Sequence, residues 1–265
     1  MKLLVINPNI SDEVSQLIRA EAERSAAPGT EIVVSTAASG FEYIETRMES
    51  IVAAGAVAEL VAEQHGSYDG VVVAAFGDPG MPALKELVDE PVVGITEAAM
   101  CAAAMLGQRF SIIAISQRIR PWYQDAVERF GFGGRLASLR SLTDELGDIG
   151  AVQDDFREAL LGLGLRAVRE DGADSVILAG APLAGLGREL AAQIPVPVVD
   201  GIGAGVRMCE SLVGLRAGSH REGAFAIPPV KPRRGLSPAL TRLLDSRQQQ
   251  QHSPSPDDVT PIEKD

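Results

Sequence analysis

The residues of this chain that could do acid–base or hydrogen-bonding chemistry gather in short turns following apolar runs. Asn7-Pro8-Asn9 brackets a rigid proline with two amides. Amides can hydrogen-bond a small polar ligand without adding charge, and they can equally cap the helix that follows. In Phe76-Gly77-Asp78-Pro79-Gly80 the glycines let backbone N–H groups come close to a ligand, beside a helix start that favours anions. Asp78 is placed there either as an acid/base group or as the cap of a helix beginning near Pro79. Glu97, one residue after Thr96, can act as a base or complement a helix dipole. Ser116 can cap a helix or hold substrate, and Arg118 and Arg120 can pair with a carboxylate or lie on a solvated face. Trp122 and Tyr123 belong to a pocket wall or to the core. Gly180-Ala181-Pro182 offers bare backbone, which leaves room for a ligand rather than supplying a reactive group.

Such turns need a scaffold that brings them together. Apolar runs rich in Val and Ile cover residues 2–7, 31–35, 70–76, 91–95, 109–115, 136–140, 175–180 and 196–200. Segments between them, such as 48–64, 153–170 and 183–193, carry Ala, Leu and Val at helical spacing. Runs apolar on both faces, alternating with helices, predict an α/β fold of parallel sheets covered by helices. In such sheets ligands bind beyond the carboxyl ends of the strands, where the turns lie. Residues 74–79 and 179–182 echo each other as strand, small-residue turn and proline, about half the folded length apart. The echo fits two similar lobes facing each other across a cleft. It also fits the chance recurrence of strand–turn–helix units in any α/β chain.

Composition narrows the function classes. The chain has 265 residues, 46% hydrophobic but only 4% aromatic, so the core is built from aliphatic side chains. A formal charge of −12 disfavours nucleic acid and anionic membrane surfaces as partners. No stretch approaches the roughly 18–20 apolar residues of a membrane helix. The opening MKLLVINPNIS has too short an apolar run for a signal peptide, and two cysteines, Cys101 and Cys209, suit a reducing compartment. A cytoplasmic location is expected. His65, His220 and His252 are scattered, and no phosphate-binding glycine loop follows a strand, so no metal and no cofactor are expected. Residues 246–265 are polar, Gln- and Pro-rich and charged, and are expected to form a disordered tail after a short helix over 236–244.

Taken in order, several motifs resemble the aspartate/glutamate/hydantoin racemase family. They are Ile6 to Asn9, Gly40-Phe41-Glu42-Tyr43-Ile44-Glu45, Phe76 to Gly80, Val92 to Ala99, Leu178 to Gly185 and Val196 to Gly201. The resemblance runs from about residue 2 to residue 216. It implies two pseudo-symmetric lobes, the first of residues 1–97 and 199–232 and the second of 98–198, with the ligand cleft between them. It also implies a cofactor-independent reaction and an expected homo-oligomer. In the family two cysteines flank the acidic carbon of the substrate and pass protons to and from opposite faces, while backbone N–H groups hold the oxyanion.

The family's first cysteine falls at Ala75 and its second at Gly180, so neither expected thiol is present. A pair of threonines often found after the fifth strand is replaced by Ala114 and Ile115. Cys101 and Cys209 fall inside helix-like segments and read as core residues. Proton transfer then has to come from Asp78, Glu45, Glu97 or Tyr43. Substrate contacts are expected from Asn7, Asn9, Ala75, Phe76, Gly77, Ser116, Gly180, Ala181 and Pro182. The expected activity is racemase- or epimerase-like, on a small carboxylate, amino-acid or cyclic amide substrate. The alternatives are a lyase or decarboxylase of the same superfamily and a small-anion-binding protein without catalysis.

Overall fold

The computed structural model describes residues 1–143, 146–218 and 222–251. The chain runs β1 (Lys2–Asn7), α1 (Asp12–Ser25), β2 (Glu31–Thr36), α2 (Arg47–Glu63), β3 (Gly70–Val73), α3 (Met81–Leu87), β4 (Val92–Gly94) and α4 (Ile95–Leu106). A second set follows: β5 (Phe110–Ala114), α5 (Arg120–Arg129), β6 (Leu136–Ser141), α6 (Val152–Arg169), β7 (Ser175–Ala179), α7 (Leu186–Leu190) and β8 (Val198–Asp200). Helices α8 (Gly201–Leu215) and α9 (Pro238–Gln251) complete it.

The strands form two parallel four-stranded sheets, ordered β2-β1-β3-β4 and β6-β5-β7-β8. The second order repeats the first with each strand number raised by four. The echo between residues 74–79 and 179–182 therefore follows equivalent strands, β3 and β7. Those two strands and β5 are buried at every position, and β1 at every position but its first, whereas the edge strands β2 and β6 are only half-buried. This is the burial that helices on both faces impose on central strands. In each sheet the chain leaves the first strand to one side and returns on the other, so β1/β3 and β5/β7 are switch points where a crevice opens.

Helix α8 crosses back from the second sheet and packs on α1, α4 and β3. The lobes are also joined by side chains. Glu21 on α1, 2% exposed, accepts from Arg188 on α7 at 2.8 Å, and Arg47 on α2 pairs with Asp125 on α5 at 2.5 Å.

Three segments differ from the sequence expectation. The run 70–76 stops being strand at Val73, which frees Ala74, Ala75 and Phe76 to turn into the crevice. The helix expected over 183–193 is cut to Leu186–Leu190, because Gly185 adopts a left-handed conformation and a 3₁₀ turn occupies Ala181–Leu183. Helix α9 runs on to Gln251, six residues into the expected tail, anchored by Ala239, Leu243 and Arg247, all buried. Arg247 pairs with Asp89. Residues 252–265 of that expected tail lie outside the described residues.

Candidate functional site

Ala75 and Gly180, from turns on different sheets, line the same small chamber at the carboxyl ends of β1, β3, β5 and β7. Its volume is about 30 Å³, room for one or two waters. Asn9, Tyr43, Phe76, Tyr123, Ala181 and Pro182 join them in the lining, and Ile44, Ala74, Ile115 and Ile119 supply its aliphatic part. No charged side chain among the described residues lines it. The ligand cleft implied by the resemblance is here a small chamber with a neutral lining.

A second cavity, about 1080 Å³, opens beside it and shares Tyr43. Consecutive residues divide between the two: Ile44 faces the chamber and Glu45 the mouth, Ile115 the chamber and Ser116 the mouth, Tyr123 the chamber and Trp122 the mouth. Arg118 also lines the mouth, as does Arg47, whereas Arg120 does not. The mouth therefore carries the charges and the chamber carries none.

Local chemistry fixes each turn. Asn7 is fully buried, and its amide donates to Asn9 Oδ1 (2.8 Å), the Ser11 carbonyl (3.1 Å) and Ser15 Oγ (2.9 Å), so it braces the turn and does not line the chamber. Asn9 Oδ1 also accepts from the Ser11 N–H at 2.9 Å. With its oxygen engaged twice, Asn9 offers its NH₂ group as the remaining donor. Glu45 sits just before α2, whose first turn is closed by a reciprocal pair: Thr46 Oγ1 accepts from the Glu49 N–H, and Glu49 accepts from the Thr46 N–H at 2.8 Å. Across the mouth, Ser116 Oγ donates to Glu45 Oε1. Burial, followed by the charges of Glu45, Glu49 and Glu42, raises the pKa of Tyr43.

Asp78 is 0% exposed, yet it lies outside the chamber lining. Its two oxygens accept from the Thr96 N–H and the Glu97 N–H, each at 2.9 Å. It thus caps α4 and not the helix beginning near Pro79, whose N-cap is Gly80. Glu97 turns away to Lys85 at 3.1 Å, also outside the chamber. Gly77 does not line the chamber either: its N–H donates to Thr96 Oγ1 at 2.5 Å. A Cβ on Gly77 would stand 2.1 Å from the Trp122 ring, and its φ of +108° is one that L side chains rarely adopt. Glycine here lets the second lobe's tryptophan lie against the first lobe's turn.

The N–H groups of Ala75, Phe76, Gly180 and Ala181 make no hydrogen bond among the described residues. They are the loose donors of turns that lead into helices. Cys101 and Cys209 do not line the chamber. Cys209 is fully buried under β3, and burial pushes its thiol up to about 12. Among the described residues no group of three or more His, Cys, Asp or Glu could hold a metal, and no helix is long and apolar enough to cross a membrane. His220 and His252 lie outside the described residues.

Burial also raises Asp78 to about 7 and Asp200, the cap of α8, to about 6. Both ordinarily ionise at 3.8, so between 3.8 and those values the folded chain holds protons that the unfolded chain has released. Their contribution to stability is complete below 3.8 and is lost as pH rises through 6 and 7. Asp125 and Asp171, held below the usual range by Arg47 and Arg140, have finished ionising before this window closes. The urea midpoint is therefore expected to fall between about pH 5 and about pH 7.5, and Asp78→Asn should flatten that slope.

Sequence reasoning placed Tyr123 only as a pocket wall or core residue. The structure turns its hydroxyl toward the chamber, 3.7 Å from where a Cβ on Gly180 would stand. Its place after Pro121 on the first turn of α5 gave no sign of that direction.

The chain matches the Asp/Glu/Hydantoin racemase family over residues 3–209. A hydantoin racemase from Paenarthrobacter aurescens is 35% identical over 235 residues, spanning 87% of this chain and 99% of that protein. An allantoin racemase from Klebsiella pneumoniae superposes with a TM-score of 0.85 at 34% identity, covering 92% of this chain and 98% of the other. An allantoin racemase from Pseudomonas fluorescens gives 0.82 at 34% identity, covering 89% and 100%. Arylmalonate decarboxylase shares the fold alone, at 0.56 and 17% identity over 81% of this chain and 93% of the other. With the paired sheets and the match across four-fifths of its length, this chain belongs to the Asp/Glu/hydantoin racemase family.

Proposed function

We propose that this protein is a cofactor-independent isomerase that exchanges the proton on the acidic carbon of a hydantoin-like cyclic amide. The observation that carries the reading is the chamber shared by Ala75 and Gly180, lined by neutral donors and flanked by unpaired N–H groups from both lobes. Neutral donors suit the carbonyls of a cyclic amide. The names of its relatives, hydantoin and allantoin racemases, point to the same substrate class.

With alanine and glycine at positions 75 and 180, the base in this reading is Glu45. It lines the mouth, next in sequence to Ile44 of the chamber lining, and is oriented by Ser116. Its carboxylate takes the proton, the electron pair moves onto the neighbouring carbonyl oxygen, and the N–H groups of Ala75 and Phe76 hold that oxygen. Water returns a proton from the opposite face, and Glu45 releases its own to solvent. A chamber of about 30 Å³ does not admit a five-membered ring, so in this reading the Ile115 and Ile119 side chains that line it shift as substrate enters.

The test is deuterium uptake at the ring carbon of 5-methylhydantoin in D₂O, followed by NMR. Glu45→Gln is expected to slow uptake roughly 10²-fold or more while leaving the fold intact. An unchanged rate would remove Glu45 from the reaction. A second reading, a binding protein without turnover, is favoured by a chamber lining that holds no ionisable acid or base with a charge among the described residues. Thermal stabilisation by 5-methylhydantoin with no deuterium uptake would select it.

A further inference from the structure

Tyr123 is buried to 1% exposure, with its ring packed against Phe76 (centroids 4.6 Å apart) and Trp122 (5.8 Å). Packing of this kind fixes the ring and leaves its hydroxyl a single direction. That direction is the chamber: the oxygen lies 3.7 Å from where a Cβ on Gly180 would stand, and Tyr123 is part of the lining. The hydroxyl makes no hydrogen bond among the described residues. A buried tyrosine hydroxyl ordinarily finds a partner, so one left open at a cavity wall is a place held for a ligand.

The surroundings also define what it can do. Burial, with the charge of Asp78 as a lesser cause, raises the Tyr123 pKa, so the phenol stays neutral and acts as a donor. Asn9 faces the same chamber from the other lobe with its NH₂ group free. Gly180 has no side chain to compete, and its φ of +118° is one that L side chains rarely adopt, so the gap beside the hydroxyl is built into the backbone. Two neutral donors, one from each lobe, thus converge on a space with no cation.

We propose that the Tyr123 hydroxyl donates a hydrogen bond to the substrate carbonyl next to the acidic carbon, on the Gly180 side, with Asn9 as the second side-chain donor to the bound ring. This rests on the reading of the chamber as the substrate site. Charge grows on that carbonyl oxygen as the proton leaves, so the bond strengthens during reaction.

Tyr123→Phe keeps the ring, its volume and its stacking, and removes only the oxygen. In the full chain it should leave the ligand-free melting temperature unchanged or slightly higher, since the hydroxyl makes no hydrogen bond among the described residues. For 5-methylhydantoin it should lower kcat roughly 10²-fold with KM changed only a few-fold, and it should weaken binding about 3- to 10-fold. A melting temperature lowered by more than ~4 °C would reveal a structural partner and overturn the proposal. Unchanged kcat, KM and binding would also overturn it, while leaving the isomerase reading in place. If the wild type binds 5-methylhydantoin without exchange and Tyr123→Phe loses that binding, the Tyr123 contact stands and the isomerase reading falls. Binding by neither protein removes both.

Discussion

Ala75→Cys is expected to accelerate deuterium uptake at the acidic carbon of 5-methylhydantoin by about 10²-fold or more. Ala75 is 9% exposed, lines the chamber, and follows β3 with a φ outside the left-handed region, so a cysteine fits its backbone without strain. A thiol there would stand in the chamber as a proton acceptor that the present chain lacks on that side. Gly180→Cys should gain far less. Its Cβ would meet only ordinary contacts, Pro182 at 3.6 Å and the Tyr123 hydroxyl at 3.7 Å, but the φ of +118° must change. That strain costs about 1–3 kcal/mol. A folded Ala75→Cys protein with no gain in exchange would place the acidic carbon away from residue 75.

Asp78→Ala should destabilise the chain by about 2–4 kcal/mol, measured by urea unfolding. Truncation leaves the N–H groups of Thr96 and Glu97 buried at the start of α4 without acceptors. It also puts alanine at a φ of +51°, where aspartate and asparagine are better tolerated. Asp78→Asn keeps one carbonyl acceptor and that tolerance, and should cost roughly half as much. If Asp78→Ala instead left stability within ~0.5 kcal/mol and abolished exchange, Asp78 would be a catalytic group and not a cap.

The two outcomes at Asp78 show how far the sequence could be read. An aspartate after a strand and before Pro79 signals capping, but the residues it caps, Thr96 and Glu97, lie 18 and 19 positions away. Local spacing cannot name that partner. The same holds for Ser116 and Glu45, 71 residues apart, and for the Trp122 ring lying on Gly77. By contrast, the apolar runs of β1, β3, β5 and β7 declare their double-sided burial directly. The turns at 75 and 180 could be paired because they follow equivalent strands of two similar sheets. What defeated composition was tertiary anchoring. The stretch from 246 reads as solvated, yet Arg247 is buried and paired with Asp89, which carries α9 onward. Chamber size was likewise invisible, since it depends on three isoleucines from separate segments, Ile44, Ile115 and Ile119, converging on one space.

The most direct test of the account is where a small cyclic amide binds. In an amide NMR titration with 5-methylhydantoin, the account predicts that the N–H signals of Ala75, Phe76, Gly180 and Ala181 shift together and saturate together. Shifts confined to the separate cavity around Tyr68, Lys85 and Arg216, with residues 75 and 180 unmoved, would contradict it.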